Sequence, residues 1–515
     1  MSKPSSRLRR QGLNEQKLAQ RRAAKKLRQG QAAQGLKNPP TSTISNGKSE
    51  WTTVEQEKQA RQEAVEEVLK VYRCVLPTLL KRLGKIRDPR NPKTVKHKLT
   101  VLMLYGILVF VFQMSSRREA NRQMTMPMFL ENLRLMLPEL ESVPHQDTLN
   151  RLLSGIEVDQ IEGTLVELVQ HFIRNKKFYA YLISQHYPIA VDGSQKLVRD
   201  WCGAEQWLER QVQSTETAED GTAGTRPQYY VYVLEASLAF ANGMTIPLMS
   251  EFLDYTEGDQ ERNKQDCELK AFRRLAERLK SCFPRLSILV LLDGLYPNGP
   301  VMQLCRQYHW QYMIVLQDNS LPSVWEEVEG LGKLQVNNHL ERTWGNRRQR
   351  FRWVNDIEYC YGDKGRKKQT VHVVICQETW EEVDSKTAAI VPKQSRHAWI
   401  SSEPLSRQNV HERCNLGARH RWGIESSFLV EKRHGYGYEH CFSYHWNAMR
   451  GYHFLMRLGH LINILAQKTE CLAGLVRRRG VRGMIRFLLE TCTGPWLDAE
   501  RIRALLASPC QLRLE

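Results

Sequence analysis

The spacing of apolar positions changes along this chain. From Gln56 to about Phe178 they recur every three or four residues, as in QEAVEEVLKVYRCVLPTLLKRL, which predicts helices. Pro89, Pro92, Pro127, Pro138 and Pro144 punctuate the stretch, and Asp147 in VPHQDTLNRLLSGI is placed to start a further helix. Leu99 to Met114 (LTVLMLYGILVFVFQM) is the one long apolar run. A membrane span needs about 20 residues, so this shorter run predicts a buried helix and no membrane partner.

Near Tyr187 the spacing becomes strand-like. YPIAVD predicts a strand ending at Asp192, and a polar stretch follows from Glu209 to Pro227, with Gly221 and Gly224 in it. YYVYVLEASLAF and MTIPLMSEFL predict two strands joined through Asn242-Gly243, a strong hairpin signal. An amphipathic helix (Gln265 to Cys282), a strand (LSILVLLD) ending at Asp293, a short helix from about Gly299 and a strand (WQYMIVLQ) follow. The order β-β-β-α-β-α-β is that of a ribonuclease H-like sheet, with acids at the ends of the first and fourth strands. Between Asn319 and about Asn409 the runs RQRFRWV, QTVHVVIC and HAWISSE predict a β-rich insertion standing outside that sheet. A helix from near Arg413 carries Glu425, and Tyr444 to Gln467 is another.

The fold class expected is therefore α/β: a mixed sheet with flanking helices, a β-rich insertion and a helical N-terminal domain. The expected divisions are a basic tail, disordered or ordered by DNA (1–55); a helical, candidate DNA-binding domain (56–178); a catalytic core (179–318 with 410–467); the insertion (319–409); and a basic helical C-terminal region (468–515) containing Arg477, Arg478 and Arg479. A chain of 515 residues has room for two to four domains.

Charge narrows the partners. The formal net charge is +19, and the first fifty residues hold twelve Lys/Arg against Glu15 and Glu50. The body is basic as well as the tail, which favours a polyanion. The tail is either a basic helix laid on DNA followed by a linker, or a solubilising extension. Twelve cysteines without a C-x-x-C pair, and no signal-peptide pattern, point to a reducing intracellular setting. His434, His440, His445, His453 and His460 fit no usual zinc spacing and read as structural or DNA-facing.

Three acids carry the candidate chemistry: Asp192 in IAVDGSQ, Asp293 in ILVLLDGLY and Glu425 in RHRWGIESSFLVEK. Gathered together they would repel one another unless divalent cations lay between them. Oxygen-only ligands suit Mg²⁺, with Mn²⁺ able to substitute, and two ions about 3.5–4 Å apart are the usual arrangement for displacement at phosphorus. The plain alternative for each Asp-Gly pair is turn chemistry, Gly193 and Gly294 letting the chain turn sharply. Arg421, Glu425 and Lys432 fall within about 40° on one helical face. There a carboxylate stands between two cations; its plain alternative is an i, i+4 ion pair.

These residues bring the chain to a known family. It resembles the DDE transposases of bacterial insertion sequences, in the IS-four-like branch, whose signature is Tyr-x2-Arg-x3-Glu-x6-Lys. Arg421, Glu425 and Lys432 match in register, while Ala418 stands where the family has tyrosine. The resemblance is loose from about Ile86 to Pro144, good from there to about Ala466, and silent on residues 1–55. It implies a ribonuclease H-like core in which Asp192, Asp293 and Glu425 are catalytic and bind two Mg²⁺. It implies DNA cleavage and strand transfer at the ends of an insertion sequence, by cut-and-paste, with a DNA hairpin in many relatives. Arg421 and Lys432 would hold phosphates near the cleaved end. It further implies double-stranded DNA, as transposon ends and target, as the partner, bound by a homodimer in the bacterial cytoplasm at the nucleoid. The insertion is rich in aromatics and cations, among them Trp344, Arg347, Arg348, Arg350, Phe351, Arg352, Trp353, Trp380 and Trp399. Arg347 and Arg348 are candidate DNA contacts, and Trp344 or Trp353 the candidate to stack on a flipped base. Two other functions stay open: a domesticated DNA-binding protein without catalysis, and a ribonuclease H-like nuclease that cuts without joining.

Overall fold

The computed structural model describes residues 6–38, 48–217, 223–255 and 266–513. The expected linker around 39–47, Gly221 and the expected helix start at Gln265 lie outside them.

The described elements open with α1 (Ser6–Ala33), in the first part of the basic tail. Helix α2 (Val54–Leu83) starts on a reciprocal cap. Thr53 accepts the Gln56 amide, and Gln56 Oε1 accepts the Thr52 amide at 2.9 Å. Then come α3 (Leu99–Val111), α4 (Arg117–Met124), α5 (Pro127–Met136), α6 (Gln146–Gly155) and α7 (Asp159–Arg174). Four strands follow, β1 (Tyr187–Arg199), β2 (Leu208–Thr217), β3 (Ala223–Ala239) and β4 (Thr245–Phe252), and then α8 (Glu268–Cys282). Next are β5 (Ile288–Leu292), α9 (Gly299–Gln307), β6 (Gln311–Val315) and α10 (Pro322–Gly332). Strands β7 (His339–Trp344), β8 (Arg347–Tyr361), β9 (Lys367–Val383) and β10 (Ile390–Ser401) precede the final helices α11 (Trp422–Arg433), α12 (Trp446–Ala466), α13 (Glu470–Thr493) and α14 (Ala499–Ala507). The fold is mixed α/β, with both parallel and antiparallel strand pairs.

The chain forms two compact units. The larger gathers Ile44–Ser287 and His420–Glu515. Its helical part is organised by α3 and α12. Of the 13 residues of α3, 12 are buried, so the long apolar run is a core helix. Two glycines let these helices approach closely. A Cβ on Gly106 would lie 2.7 Å from Leu455, and one on Gly459 would lie 2.7 Å from the Cβ of Phe110. No described helix is long and apolar enough to cross a membrane.

In this unit's sheet, β3 is the long strand. It pairs antiparallel with β1 along one edge, and with β2 and then β4 along the other. The β3–β4 hairpin turns at Asn242-Gly243 as expected, Gly243 taking a positive φ of 80°. Two expectations are corrected. Strand β1 does not end at Asp192 but runs on to Arg199, and the polar stretch after Glu209 belongs largely to β2 and β3. The order is thus β-β-β-β-α-β-α-β, and Asp293 follows the fifth strand rather than the fourth. Gly193 is a packing glycine rather than a turn glycine: a Cβ there would lie 2.3 Å from the Tyr232 hydroxyl. Tyr232 in turn donates to Glu268 Oε2 on α8 at 2.9 Å. Gly193→Ala should therefore displace the Tyr232 ring and destabilise this unit by about 1–3 kcal/mol, as overpacking does. Thermal melting of that variant beside Tyr232→Ala/Gly193→Ala, which removes the clash, checks it. Equal stability of Gly193→Ala and wild type would contradict it.

The smaller unit gathers the described part of residues 1–43 with Ile288–Arg419. Strands β5 and β6 are parallel, joined through α9, and the sheet continues through β10, β9, β8 and β7. Because Trp399, Ile400 and Ser401 of β10 pair with Val315, Ile314 and Met313 of β6, the β-rich segment extends this sheet instead of standing outside it.

Candidate active site

In the larger unit, two acids far apart in sequence meet one guanidinium. Apolar Ile189, Ala190 and Val191 bury β1 and fix the backbone that presents Asp192. Its Oδ1 accepts the Gly193 amide at 2.9 Å, and its Oδ2 lies 3.4 Å from Nη1 of Arg421. Arg421 Nη2 donates to Glu425 Oε1 at 2.6 Å. The Arg421 side chain is only 8% exposed, whereas Glu425 is 49% exposed. The expected i, i+4 ion pair therefore exists, and the same arginine extends it to Asp192. The Arg421 Nε is buried with no hydrogen-bond partner among the described residues. Such a donor carries a desolvation penalty that an anionic oxygen would relieve.

Helix α11 is seated closely enough to make this geometry. Gly423, between Arg421 and Glu425, is the contact point: a Cβ there would lie 2.7 Å from Thr245 Oγ1. Lys432, near the end of α11, has its Nζ 3.1 Å from Glu439 Oε1 and 5.6 Å from the Tyr438 ring centre. Trp422 and Leu429 are 52% and 57% exposed and lie on the same face as Glu425, one turn either side of it. Neither residue belongs to the acids and cations that mark this helix in the sequence. The signal available was apolar residues at positions that the helical register turns outward.

Beneath this face lies a buried charge network, also unforeseen. Arg457 of α12 reaches Glu431 Oε1 at 2.9 Å and Glu235 Oε2 at 3.3 Å. His460 Nδ1 lies 2.6 Å from Glu431, and His453 Nε2 lies 3.0 Å from Glu235. Burial would raise the Glu431 carboxyl, but Arg457 and His460 outweigh it and hold the group down at about 2. Burial also pushes His453 down to about 4 against the pull of Glu235, and Lys196 down to about 8. Glu235 pairs across from Asp192 in the β1–β3 register, and Glu431 shares α11 with Glu425. The network thus ties α11, which presents Glu425, to β3, the strand paired with the one that presents Asp192. His453 and His460 belong to it and are structural.

Asp293 lies in the smaller unit, directly after β5. Its Oδ1 accepts the Leu295 amide at 2.9 Å, and a Cβ on Gly294 would lie 2.5 Å from Gln317 Nε2. Gly294 is thus a close-approach position at the carboxyl ends of parallel β5 and β6, where open α/β sheets commonly place ligands. In the β-rich segment, Arg347 is drawn inward: it donates to buried Glu378 at 2.6 Å and stacks 4.1 Å over Trp380. Arg419 also reaches Glu378, at 2.5 Å, and lies 5.2 Å from the Trp344 ring centre. Burial would raise the Glu378 carboxyl, but Gln349, Arg419 and Arg347 hold it below the ordinary range. Trp353 is 3% exposed, so its ring faces are packed and it does not present a stacking surface. Trp344 is half-buried, and Arg348 is exposed and donates to Gln34 Oε1 at 2.9 Å.

Among the described residues, no group of three or more His, Cys, Asp or Glu side chains is drawn together as a metal site. At Asp192 and Glu425 the positive charge between the carboxylates is the Arg421 guanidinium. Both acids are hard oxygen donors, as Mg²⁺ requires, and a guanidinium shared by them marks a position already favourable to a cation.

A protein-family model described as DDE_Tnp_1-associated matches residues 80–169, which run from the end of α2 into α7. No curated protein matches the chain. The helical segment is thus similar to a domain that accompanies DDE-type transposases, and that supports a transposase-related function.

Proposed function

We propose that the chain is a DDE transposase of the IS-four-like branch, with a ribonuclease H-like core, that cuts DNA at the ends of an insertion sequence and joins them to a target. One observation carries this reading: Asp192 and Glu425, from distant parts of the chain, are held to the same buried arginine. A helix ion pair alone needs no strand aspartate. The transposase-associated match at 80–169 supports it independently.

In this reading Asp192, Asp293 and Glu425 would hold Mg²⁺ or Mn²⁺, which would supply Lewis-acid charge at the phosphate. Arg421 neutralises phosphate at the cleaved end, its unpartnered Nε offering a donor, and Lys432 does the same further along α11. Exposed Trp422 beside Glu425 is better placed than Trp353 to stack on an unpaired base. Double-stranded DNA is the partner, and a homodimer would bring two ends together.

Arg421→Lys tests the reading. It keeps the charge but loses the fork that serves both acids. The variant should melt near wild type, bind duplex DNA and cleave about 10²-fold more slowly, since misplacing reacting groups has that order of effect. Unchanged cleavage would leave Arg421 as a structural ion pair.

A second reading, a chain that binds DNA without cutting it, is favoured by the arginine occupying the space between the carboxylates. Cleavage across an Mg²⁺ titration discriminates: no product at any concentration, with binding retained, selects the second reading.

A further inference from the structure

Helix α1 is docked by one side and cationic on the other. Gln16 Nε2 donates to the carbonyls of Ser385 and Lys386, both at 3.2 Å, and Gln20 also donates to Ser385. Gln31 is buried, and the chain beyond the helix is pinned where the Lys37 amide donates to Gly345 O at 3.0 Å. All of these contacts lie within the smaller unit. Lys17, Arg21, Arg22, Lys25, Lys26 and Arg28 are all exposed. At about 100° per residue, Arg21, Lys25 and Arg28 lie about 40°, 80° and 20° round from Lys17, whereas Gln16, Gln20 and Gln31 lie about 260°, 300° and 320° round. The four form a stripe about 16 Å long. Like charges three and four apart destabilise a helix, and Glu15 is the only acid on α1. The docking contacts therefore hold in place a row of cations that repel one another, an arrangement a polyanion would relieve.

We infer that the outer face of α1 is a contact surface for the phosphate backbone of duplex DNA, presented by the smaller unit's sheet. A duplex carries one negative charge per about 1.7 Å of axis, so a stripe of this length meets several phosphates. Long cations directed at phosphates position DNA without reading its sequence. The inference rests on the proposed action on duplex DNA and gives the basic segment a part in it.

The experiment compares the full chain with its K17Q/R21Q/K25Q/R28Q variant on a duplex of arbitrary sequence, titrated across salt. The slope of log K against log salt should become shallower by about two to four units, and affinity at 0.1 M salt should fall by about 100-fold. R21K/R28K, which keeps the charge, should bind as wild type does, and circular dichroism should give equal helicity for all three chains. Wild-type binding with an unchanged slope in the quadruple variant would overturn the inference and leave the stripe as a solvated face. Absence of binding by wild type at every salt concentration would instead overturn the proposed function.

Discussion

Arg457→Met should destabilise the larger unit by about 3–5 kcal/mol, the usual effect of removing one partner from a buried ion pair. Its guanidinium serves two carboxylates, Glu235 on β3 and Glu431 on α11, and all three side chains are 1% exposed or less. Without it, Glu235 and Glu431 keep their contacts to His453 and His460 but lose the guanidinium that they share. Adding Glu235→Gln and Glu431→Gln should recover part of the loss, because the uncompensated charges are then gone. The acid limb of stability carries the same signature. Glu431 sits at about 2 when folded, below its unfolded value of roughly 4.3, so its contribution is present above that value and lost as pH falls towards 2. His453, at about 4 when folded against roughly 6.5 unfolded, contributes fully above pH 6.5 and loses that contribution as pH falls to 4. Denaturant melts between pH 7 and 3 should show stability falling through both windows, and a flatter lower window in Arg457→Met. Wild-type stability in that variant, at neutral pH, would mean that the network does not hold α11 to the sheet.

The largest expected effect is on chemistry. Asp192→Asn should lower DNA strand cleavage by at least about 10³-fold, the scale on which single transition-state contacts of a charged centre act. Duplex affinity should change less than about threefold, because it comes mainly from phosphate contacts. The fold should survive, since Arg421 keeps its 2.6 Å bond to Glu425. Asp293→Asn and Glu425→Gln should behave alike, and chelation of divalent cations should reproduce the loss in wild type. Cleavage at the wild-type rate in any one of these variants would remove that acid from the site.

Local patterns were legible and long-range ones were not. The hairpin at Asn242-Gly243, the amphipathic α8 and the buried α3 all follow from spacing that a few neighbouring residues set. Strand β2 was missed because Leu208–Thr217 is mostly polar; its order comes from pairing with β3, not from an apolar face. Asp192-Gly193 read as a strand end because that dipeptide favours turns, yet its glycine answers to Tyr232, which arrives from another strand. The network of Glu235, Glu431, His453 and Arg457 joins residues more than two hundred positions apart, so no window of sequence could reveal it. The reach of Arg421 to Glu425 was readable from helical register, whereas its reach to Asp192 was not, for the same reason.

The most direct measurement places the purified full chain with Mg²⁺ on the DNA that brackets its own reading frame and maps the broken strands. Cleavage at a pair of inverted repeats, leaving 3′-hydroxyl ends that join to a second duplex and absent from Asp192→Asn, is the predicted result. Intact DNA under conditions where the chain binds it, or cleavage that Asp192→Asn performs equally well, would contradict the account.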